Sequence, residues 1–343
     1  MALVAVTDPA PAEQPSTHTI SVVIPVYRGA AHLPALLTEL ASHTTERTTG
    51  DGHRYRVVEV LLVHDCGPDD SDRVMRELDA AYEWVKPVWL SRNFGQHPAT
   101  IAGMASSFGE WIVTMDEDGQ HDPADMSALL DSALAHGAPL VYAKPTNATP
   151  HSAFRNVTSR SSKWLLNLLG GGDVDASVFH SYRLVLGQIG RSVAAYAGHG
   201  VYLDVALGWV AGRTATAPVT VRDEGERESG YKLRTLVSHF WRMVITSGTR
   251  GLRLVSLAGV ALAVIGILAA IVLVVGRLSG EDLPRGWTSL AVLVLFMGGL
   301  ILFSLGVVAE YVGVAVNMAM GKPPYLITSD PKAGPLGRVE RAD

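Results

Sequence analysis

The apolar residues of the first half of the chain form short unbroken runs that alternate with helical patterns. Runs rich in β-branched and aliphatic residues predict strands, and apolar residues three or four positions apart predict helices. The predicted strands are 19–27, 55–65, 85–91, 110–116 and 139–143, and the predicted helices begin near Leu33, Ser71, Pro98 and Pro123. Unbroken apolar strands between helices are typical of a doubly wound, mostly parallel α/β sheet covered on both faces.

The pattern from 146 to 230 is less regular, with helical stretches at 159–170 and 182–197. We interpret this part as the second half of the same domain, so the catalytic domain is expected over 19–230. Residues 1–18 are rich in Pro, Ala and Thr and contain neither a basic segment nor a continuous apolar one. They are expected to form a disordered tail that is not a signal peptide.

Two long uncharged segments change the picture after residue 250. Residues 254–276 and 286–309 are each long enough to span a bilayer as a helix, and the short linker between them predicts a transmembrane hairpin within 251–318. Residues 231–250 combine an apolar face with basic residues, which predicts an amphipathic helix at the membrane interface. The flanking Lys and Arg residues favour cytoplasmic termini and a cytoplasmic tail over 319–343.

Composition supports a membrane-bound protein and excludes other classes. Apolar residues make up 48% of the chain and the mean hydropathy is +0.21. The formal charge of −5 shows no overall excess of basic residues of the kind that binds nucleic acid. Cys66 is the only cysteine, so a disulfide framework is impossible.

An acidic cluster follows the fourth predicted strand, in the sequence VTMDEDGQHD (113–122). Asp116 and Asp118 are one residue apart, which in an extended segment puts both carboxylates on one side. A divalent cation relieves their repulsion, and the oxygen ligands, with Gln120 as a third, suit Mg²⁺ or Mn²⁺. Mg²⁺ fills its shell with phosphate oxygens, so the site predicts a nucleotide diphosphate. Solvated loop charges are the alternative. The chain contains neither a dinucleotide-binding nor a P-loop glycine motif.

Four segments in this order and spacing, SVVIPVY, LLVHDCGPDDS, LSRNFGQHPATIAGM and VTMDEDGQHDP, resemble family 2 glycosyltransferases of the GT-A fold. The two apolar segments and VVAEYVGVAVNMAMGKPPYLI narrow the resemblance to the polyprenyl-phosphate group, which includes dolichol-phosphate mannose synthase and the undecaprenyl-phosphate aminoarabinose and glucosyl transferases. It implies metal-dependent, inverting transfer of a sugar from a UDP- or GDP-sugar to a polyprenyl phosphate, for cell-envelope glycan assembly. It also implies a multi-pass protein of the plasma membrane with a cytoplasmic catalytic domain, and a homo-oligomer is compatible with it.

The resemblance assigns roles to individual residues. Asp118 and Arg222 are expected to serve catalysis, Asp116, Asp118 and Gln120 to bind the metal, and Lys144, Arg183 and Ser229 to bind the acceptor phosphate. The residues expected to bind the nucleotide-sugar are Pro25, Tyr27, Asp65, Asn93, Gln96 and Asp116. Without the family, Asp65 reads equally well as a turn former at a strand end.

The sequence departs from the family pattern at three places. Arg28, Gly29 and Ala30 replace an Asn-Glu-Glu, Lys144 and Pro145 stand where an Arg is expected, and His180 interrupts a Phe/Leu-Arg pair. These departures keep open a second reading, a membrane-anchored nucleotide-sugar-binding scaffold with impaired catalysis. A processive synthase is a weaker rival, because its Q-x-x-R-W motif is absent: the matching segment is Gln188 to Ser192.

Overall fold

The computed structural model describes residues 16–147, 178–222 and 286–334, together with single residues between 255 and 275. The strands are β1 (His18–Val26), β2 (Arg47–Thr48), β3 (Arg54–His64), β4 (Val85–Leu90), β5 (Trp111–Thr114), β6 (Leu140–Pro145), β7 (Arg183–Leu186), β8 (Thr214–Val219) and β9 (Ile327–Thr328). The helices are α1 (Leu33–Ala41), α2 (Ser71–Ala81), α3 (Gln96–Ser106), α4 (Met126–His136), α5 (Gly187–Tyr196), α6 (Leu203–Ala211) and α7 (Trp287–Ala319), with a 3₁₀ turn at Pro123–Asp125.

All nine described strands form one mixed sheet in the order β8-β6-β7-β5-β1-β3-β4-β9, with β2 paired to β3. The strands β1, β3, β4, β5, β6 and β8 point one way, whereas β7 runs antiparallel between β5 and β6. The sequence predicted a helix over 182–197, but its first part is β7. A short run of buried aliphatic residues has no period that separates a strand from a helix.

Helices cover both faces of the sheet, as the sequence predicted. Neighbouring residues of β1 illustrate the arrangement, because Val22 packs with α1, α2 and α4 while Val23 packs with α3, α5 and α6. Alternate side chains of a strand point to opposite faces, so both kinds of position must be apolar when both faces are covered. The Asp122 carboxylate caps the 3₁₀ turn that precedes α4, because it accepts a hydrogen bond of 2.9 Å from the backbone N–H of Ala124.

The membrane prediction is supported in part. Helix α7 is continuous to Ala319, and its segment Phe296–Ala319 is long and apolar enough to cross a membrane, with 6% of its most apolar window buried in the protein. The predicted second span, 286–309, falls almost entirely within this helix, which continues ten residues beyond it. The predicted first span (254–276) and the amphipathic helix (231–250) lie outside the described residues, apart from single positions. A two-helix hairpin is not established.

The segment after α7, within the tail predicted over 319–343, contains a further strand. Ile327 and Thr328 form β9, which pairs antiparallel with the end of β4. This strand escaped the sequence analysis because two residues carry too little pattern to predict a strand. The last described residue is Gly334.

Candidate active site

A cleft opens where β1, β3 and β5 end, at the carboxyl edge of the sheet. Its volume is about 480 Å³, within the range of roughly 300–1,000 Å³ that is usual for small-molecule sites. The lining residues are Pro25, Val26, Tyr27, Asp65, Asn93, Gly95, Gln96, Asp116, Glu117, Asp118 and Gln120. The structure thus brings together all the nucleotide-sugar and metal residues expected from the sequence. Parallel strands end at one edge, which explains why distant segments meet there.

The carboxylate of Asp116 is held from two sides. The Gln96 amide donates 2.6 Å to Oδ1, and the Ser181 hydroxyl donates 2.6 Å to Oδ2. Burial raises the pKa of Asp116, and the hydrogen bond from Ser181 opposes that rise. Ser181, in the loop before β7, was not predicted to belong to the site. Nothing in a lone serine before a strand signals such a contact.

One buried histidine, His121, and one partly buried histidine, His180, lie beside Asp116. The His121 ring accepts a hydrogen bond of 3.1 Å from the backbone N–H of Asp116 and stacks on Tyr182. The His180 ring lies 5.3 Å from that of His121. Burial is the main reason that the pKa of each histidine falls to about 4. Both rings are therefore neutral near pH 7, and they pack the floor under the acidic turn.

Glu117 is a further site residue that the sequence analysis did not single out. The chain turns at Glu117 and Asp118 instead of staying extended, and Gly119 has a φ of +75°. This turn sends the Glu117 carboxylate back to β1, where it accepts hydrogen bonds from the backbone N–H groups of Tyr27 and Arg28, each at 2.9 Å. Burial raises the pKa of Glu117, and these two hydrogen bonds oppose it. Glu117 therefore fixes the loop after β1.

The same contact gives a structural account of one departure from the family pattern. A Cβ atom on Gly29 would lie 2.7 Å from Glu117 Oε2 and 3.0 Å from Leu33 Cγ. The Gly29 N–H also donates 2.9 Å to the Ser71 hydroxyl. A side chain at this position would have to displace the Glu117 carboxylate from its present place, so glycine at position 29 matches the packing.

Asp118 and Gln120 are the residues that could hold a divalent cation. The backbone N–H of Gln120 donates 3.1 Å to Asp118 Oδ1, and its amide donates 2.9 Å to Oδ2. Among the described residues, no three His, Cys, Asp or Glu side chains are grouped to hold a metal. The oxygens present fit a Mg²⁺ or Mn²⁺ ion that takes few protein ligands and completes its shell with phosphate and water.

Asp65 holds the neighbouring wall of the cleft. Its buried carboxylate accepts hydrogen bonds from the backbone N–H groups of Phe94, at 2.7 Å, and Gly95, at 2.8 Å. Burial raises the pKa of Asp65, and the hydrogen bond from Phe94 opposes this. Asp65 thereby shapes the loop that presents Asn93 and Gln96. This positioning contact is distinct from the nucleobase contact that the resemblance implies, which stays a prediction.

Arg222 lies just after β8, beside the cleft. Its backbone N–H donates 3.0 Å to the Gln120 carbonyl. Its guanidinium pairs with Glu39 and with Asp122, each at 2.9 Å, and these carboxylates raise its pKa against the effect of burial. The arrangement places a half-exposed cation next to the acidic turn.

The three residues predicted to bind the acceptor phosphate have different surroundings. Arg183 is 3% exposed, forms an ion pair with Asp204 and donates 3.0 Å to Thr114 Oγ1. This burial and the pairing with Asp204 do not support its predicted contact with the acceptor phosphate, and Arg183 is not among the residues that line the cleft. Lys144 is exposed near the carboxyl end of β6, at the same edge of the sheet as the cleft. Ser229 lies outside the described residues.

Comparison with known proteins gives the class of the molecule. The family model described as Glycosyl transferase family 2 matches residues 21–182, which include most of β1, all of β2 to β6 and the acidic turn. An undecaprenyl-phosphate 4-deoxy-4-formamido-L-arabinose transferase of Pseudomonas paraeruginosa is 31% identical over 330 residues, covering 92% of this chain and 91% of the relative. The SfII prophage-derived bactoprenol glucosyl transferase of Shigella flexneri is 25% identical over 320 residues, covering 92% and 99%.

The chain is therefore a glycosyltransferase. It belongs to glycosyl transferase family 2, in the group that contains the undecaprenyl-phosphate and bactoprenol sugar transferases. A solved structure of glucosyl-3-phosphoglycerate synthase from Mycobacterium tuberculosis is 19% identical, with a TM-score of 0.48 over 68% of this chain and 79% of that one.

Proposed function

We propose that this glycosyltransferase transfers a sugar from a UDP- or GDP-sugar to a polyprenyl phosphate at the cytoplasmic face of the plasma membrane. The product is a lipid-linked sugar for the assembly or modification of cell-envelope glycans. The names of the relatives support a polyprenyl-phosphate acceptor. The apolar segment Phe296–Ala319 supports a site of action at a bilayer, where such a lipid resides.

The observation that carries the proposal is the composition of the cleft. Tyr27, which is 41% exposed, offers an aromatic ring to the cleft, and Asn93 and Gln96 offer amides. Asp118 and Gln120 offer oxygens in the same cleft. An aromatic surface, amides and a carboxylate suit a base, a sugar and a metal-bound diphosphate, so this cleft is the donor site in our proposal.

Asp118 and Gln120 are the residues that would hold Mg²⁺ or Mn²⁺. When bound, the ion acts as a Lewis acid that neutralises the charge of the departing diphosphate. Asp116 has a different task in this scheme. Because Gln96 and Ser181 occupy its two oxygens, it orients the amide of Gln96 and supports the turn that carries Asp118. Asp116 also lines the cleft and is the third candidate ligand of the ion.

The acceptor needs charge compensation more than a base. A phosphate oxygen is already anionic near neutral pH and attacks without losing a proton. Arg222 and Lys144 lie at the edge of the sheet where the acceptor must arrive, and they supply positive charge for its phosphate. Holding both anions in line supplies much of the rate, and a single displacement inverts the anomeric centre.

The test is transfer of radiolabelled sugar from a panel of UDP- and GDP-sugars to polyprenyl phosphate, with the full-length protein in lipid bilayers and Mg²⁺ or Mn²⁺ present. We expect one donor to yield label in the organic phase, and the anomeric configuration of the product to be opposite to that of the donor. If none of the donors yields label although the protein binds nucleotide, the proposal is contradicted and the scaffold alternative is favoured.

A further inference from the structure

The chain returns to the catalytic sheet after α7. We name residues Tyr325–Lys332 the strap. Within it, β9 pairs antiparallel with Trp89 and Leu90 of β4, and the backbone N–H of Ser91 donates 3.0 Å to the Leu326 carbonyl. The ring of Tyr325 packs against the core between the sheet and α3. A two-residue strand contributes few hydrogen bonds, so other contacts must help to hold the strap.

A fork of charged hydrogen bonds anchors the strap to α2. Arg76 Nε and Nη2 donate 2.7 Å and 2.8 Å to the two oxygens of Asp330, and Nη1 donates 2.8 Å to Asp72. The Arg76 and Asp330 side chains are each only 23% exposed. The hydrogen bond from Arg76 lowers the pKa of Asp330. Bidentate pairs of this kind are the stronger and more directional ones, so Asp330 is held in one place.

The anchor and the strand pairing meet at one side chain. The guanidinium of Arg76 lies 4.8 Å from the centre of the Trp89 ring, and Trp89 is the partner of Thr328 in the sheet. A cation over an aromatic face adds attraction. The ion pair, the ring and the strand register therefore reinforce one another.

The strap touches the start of the loop that lines the donor cleft. β4 ends at Leu90, and the chain continues through Ser91 to Asn93, Gly95 and Gln96. The strap fixes this loop at Ser91. Asp65 fixes it farther along, through the N–H groups of Phe94 and Gly95. The loop is thus held at both ends. The contact at Ser91 comes from the strap, which lies outside the family-matched residues 21–182.

The strap also follows closely after the membrane-type helix. Five residues separate Ala319, the end of α7, from Tyr325, and they include Pro323 and Pro324. Such a connection spans at most about 20 Å. The end of α7 also packs on the catalytic domain, because a Cβ atom at Gly198 would lie 3.1 Å from Met318 Cγ. The strap, which contacts the donor loop at Ser91, is therefore joined to α7 by a short connection.

We propose that the strap positions the donor loop relative to the membrane helix, so that a phosphate carried by a lipid in the bilayer meets the donor sugar in line. Arg76 and Asp330 are its positioning residues. This inference rests on the proposed transfer to polyprenyl phosphate. The competing role is purely structural, since a strand at the edge of a sheet needs cover.

The experiment uses the full chain in bilayers with two acceptors, a polyprenyl phosphate in the membrane and a short water-soluble prenyl phosphate. Asp330→Asn removes the charge of the anchor, and Thr328→Pro removes a backbone N–H of β9. Asp79→Asn is the matched control, an exposed acid on the same helix as Arg76. Hydrogen exchange of the peptide carrying Ser91 reports release of the strap.

We expect Asp330→Asn to lower kcat/KM for the bilayer acceptor about ten-fold, and Thr328→Pro to lower it further, because misplacement by about 1 Å is costly in an aligned reaction. The soluble acceptor and nucleotide affinity should change less than about two-fold. Equal losses with both acceptors would overturn the proposal in favour of a structural role. The proposal would also be overturned by a variant in which the Ser91 peptide exchanges hydrogen faster but transfer to the bilayer acceptor is unchanged. A wild type inactive with both acceptors would instead refute the proposed transfer on which the inference rests.

Discussion

The side-chain amide of Gln96, at the start of α3, donates a hydrogen bond of 2.6 Å to Asp116, just after β5. They are 20 positions apart in the chain, and the hydrogen bond joins the RNFGQ segment to the acidic turn. This contact makes the two segments one unit, in which a change on one wall of the cleft is felt on the other.

Gln96→Ala should weaken binding of the donor nucleotide, because it removes the donor from a partly buried carboxylate and frees the acidic turn. The loss of one hydrogen bond to a charged group is expected to lower the free energy of unfolding by about 2 kcal/mol. Gln96→Glu should be worse, since it places a second carboxylate against Asp116. Calorimetric titration with nucleotide checks whether affinity falls in the order wild type, Gln96→Ala, Gln96→Glu. Equal affinities for all three would show that the contact does not matter for binding.

Gly29→Ala should impair donor binding although it adds only a methyl group. The new Cβ would lie 2.7 Å from Glu117 Oε2, so the carboxylate must leave the N–H groups of Tyr27 and Arg28. Glu117→Ala is expected to give the same loss of nucleotide affinity. Gly50→Ala is the control, because its Cβ would meet Asp131 at an ordinary 3.5 Å. If Gly29→Ala binds nucleotide as well as the control does, Glu117 does not fix this loop.

Arg222→Lys should lower kcat about ten-fold or more while nucleotide affinity stays nearly constant, since a lysine cannot reach Glu39 and Asp122 together and still face the acceptor. Thermal stability should change little, because exposed ion pairs contribute less than about 1 kcal/mol. Arg213→Lys, before β8, is the control. Steady-state kinetics with saturating donor separates the two effects. A defect confined to nucleotide affinity would place Arg222 with the donor instead.

His64 offers a prediction about pH and stability. Its ring is 7% exposed, and neither nitrogen has a hydrogen-bond partner. Burial lowers its pKa, while Asp72 and Asp69 oppose this. The unfolded chain binds the proton near pH 6.5 and the folded chain only at lower pH, so this group contributes full stability above about pH 6.5 and less as the pH falls.

His64→Leu should remove this pH dependence and stabilise the fold by about 1 kcal/mol near pH 7, because an unsatisfied buried polar group is replaced by an apolar one. His64→Gln should remove the pH dependence without the gain, since its amide stays unpaired. Unfolding midpoints between pH 5 and 8 test both statements. A wild-type slope that persists in both variants would assign the titration to another group.

The strands and the cleft were readable from the sequence because they depend on local apolar runs and on strand ends. The cleft residues at 25–27, 65 and 116–120 lie at or just after the ends of predicted strands, and parallel strands bring their carboxyl ends together. This argument places residues at an edge but does not orient side chains. It therefore treated Asp116 and Asp118 as one pair, although Gln96 and Ser181 hold the first and a turn carries the second.

The parts that escaped prediction depend on contacts between distant residues. Arg183 has the charge expected of a phosphate ligand, but Asp204, on α6, neutralises it inside the protein. Glu117 lies within the quoted acidic segment, yet its role depends on the turn at Gly119 and on space above Gly29. β9 has only two residues and is held by Arg76, far away in the chain. None of these partners has a local signature.

The most direct test of the account is a metal titration of sugar transfer to polyprenyl phosphate by wild type, Asp118→Asn and the exposed control Asp51→Asn. The account predicts transfer that requires Mg²⁺ or Mn²⁺ in the wild type and the control. It predicts a fall of about 100-fold or more in Asp118→Asn, because a carboxylate that holds the diphosphate-bound cation is lost. Transfer by Asp118→Asn at the wild-type rate and metal dependence would contradict the assignment of the catalytic centre to this cleft.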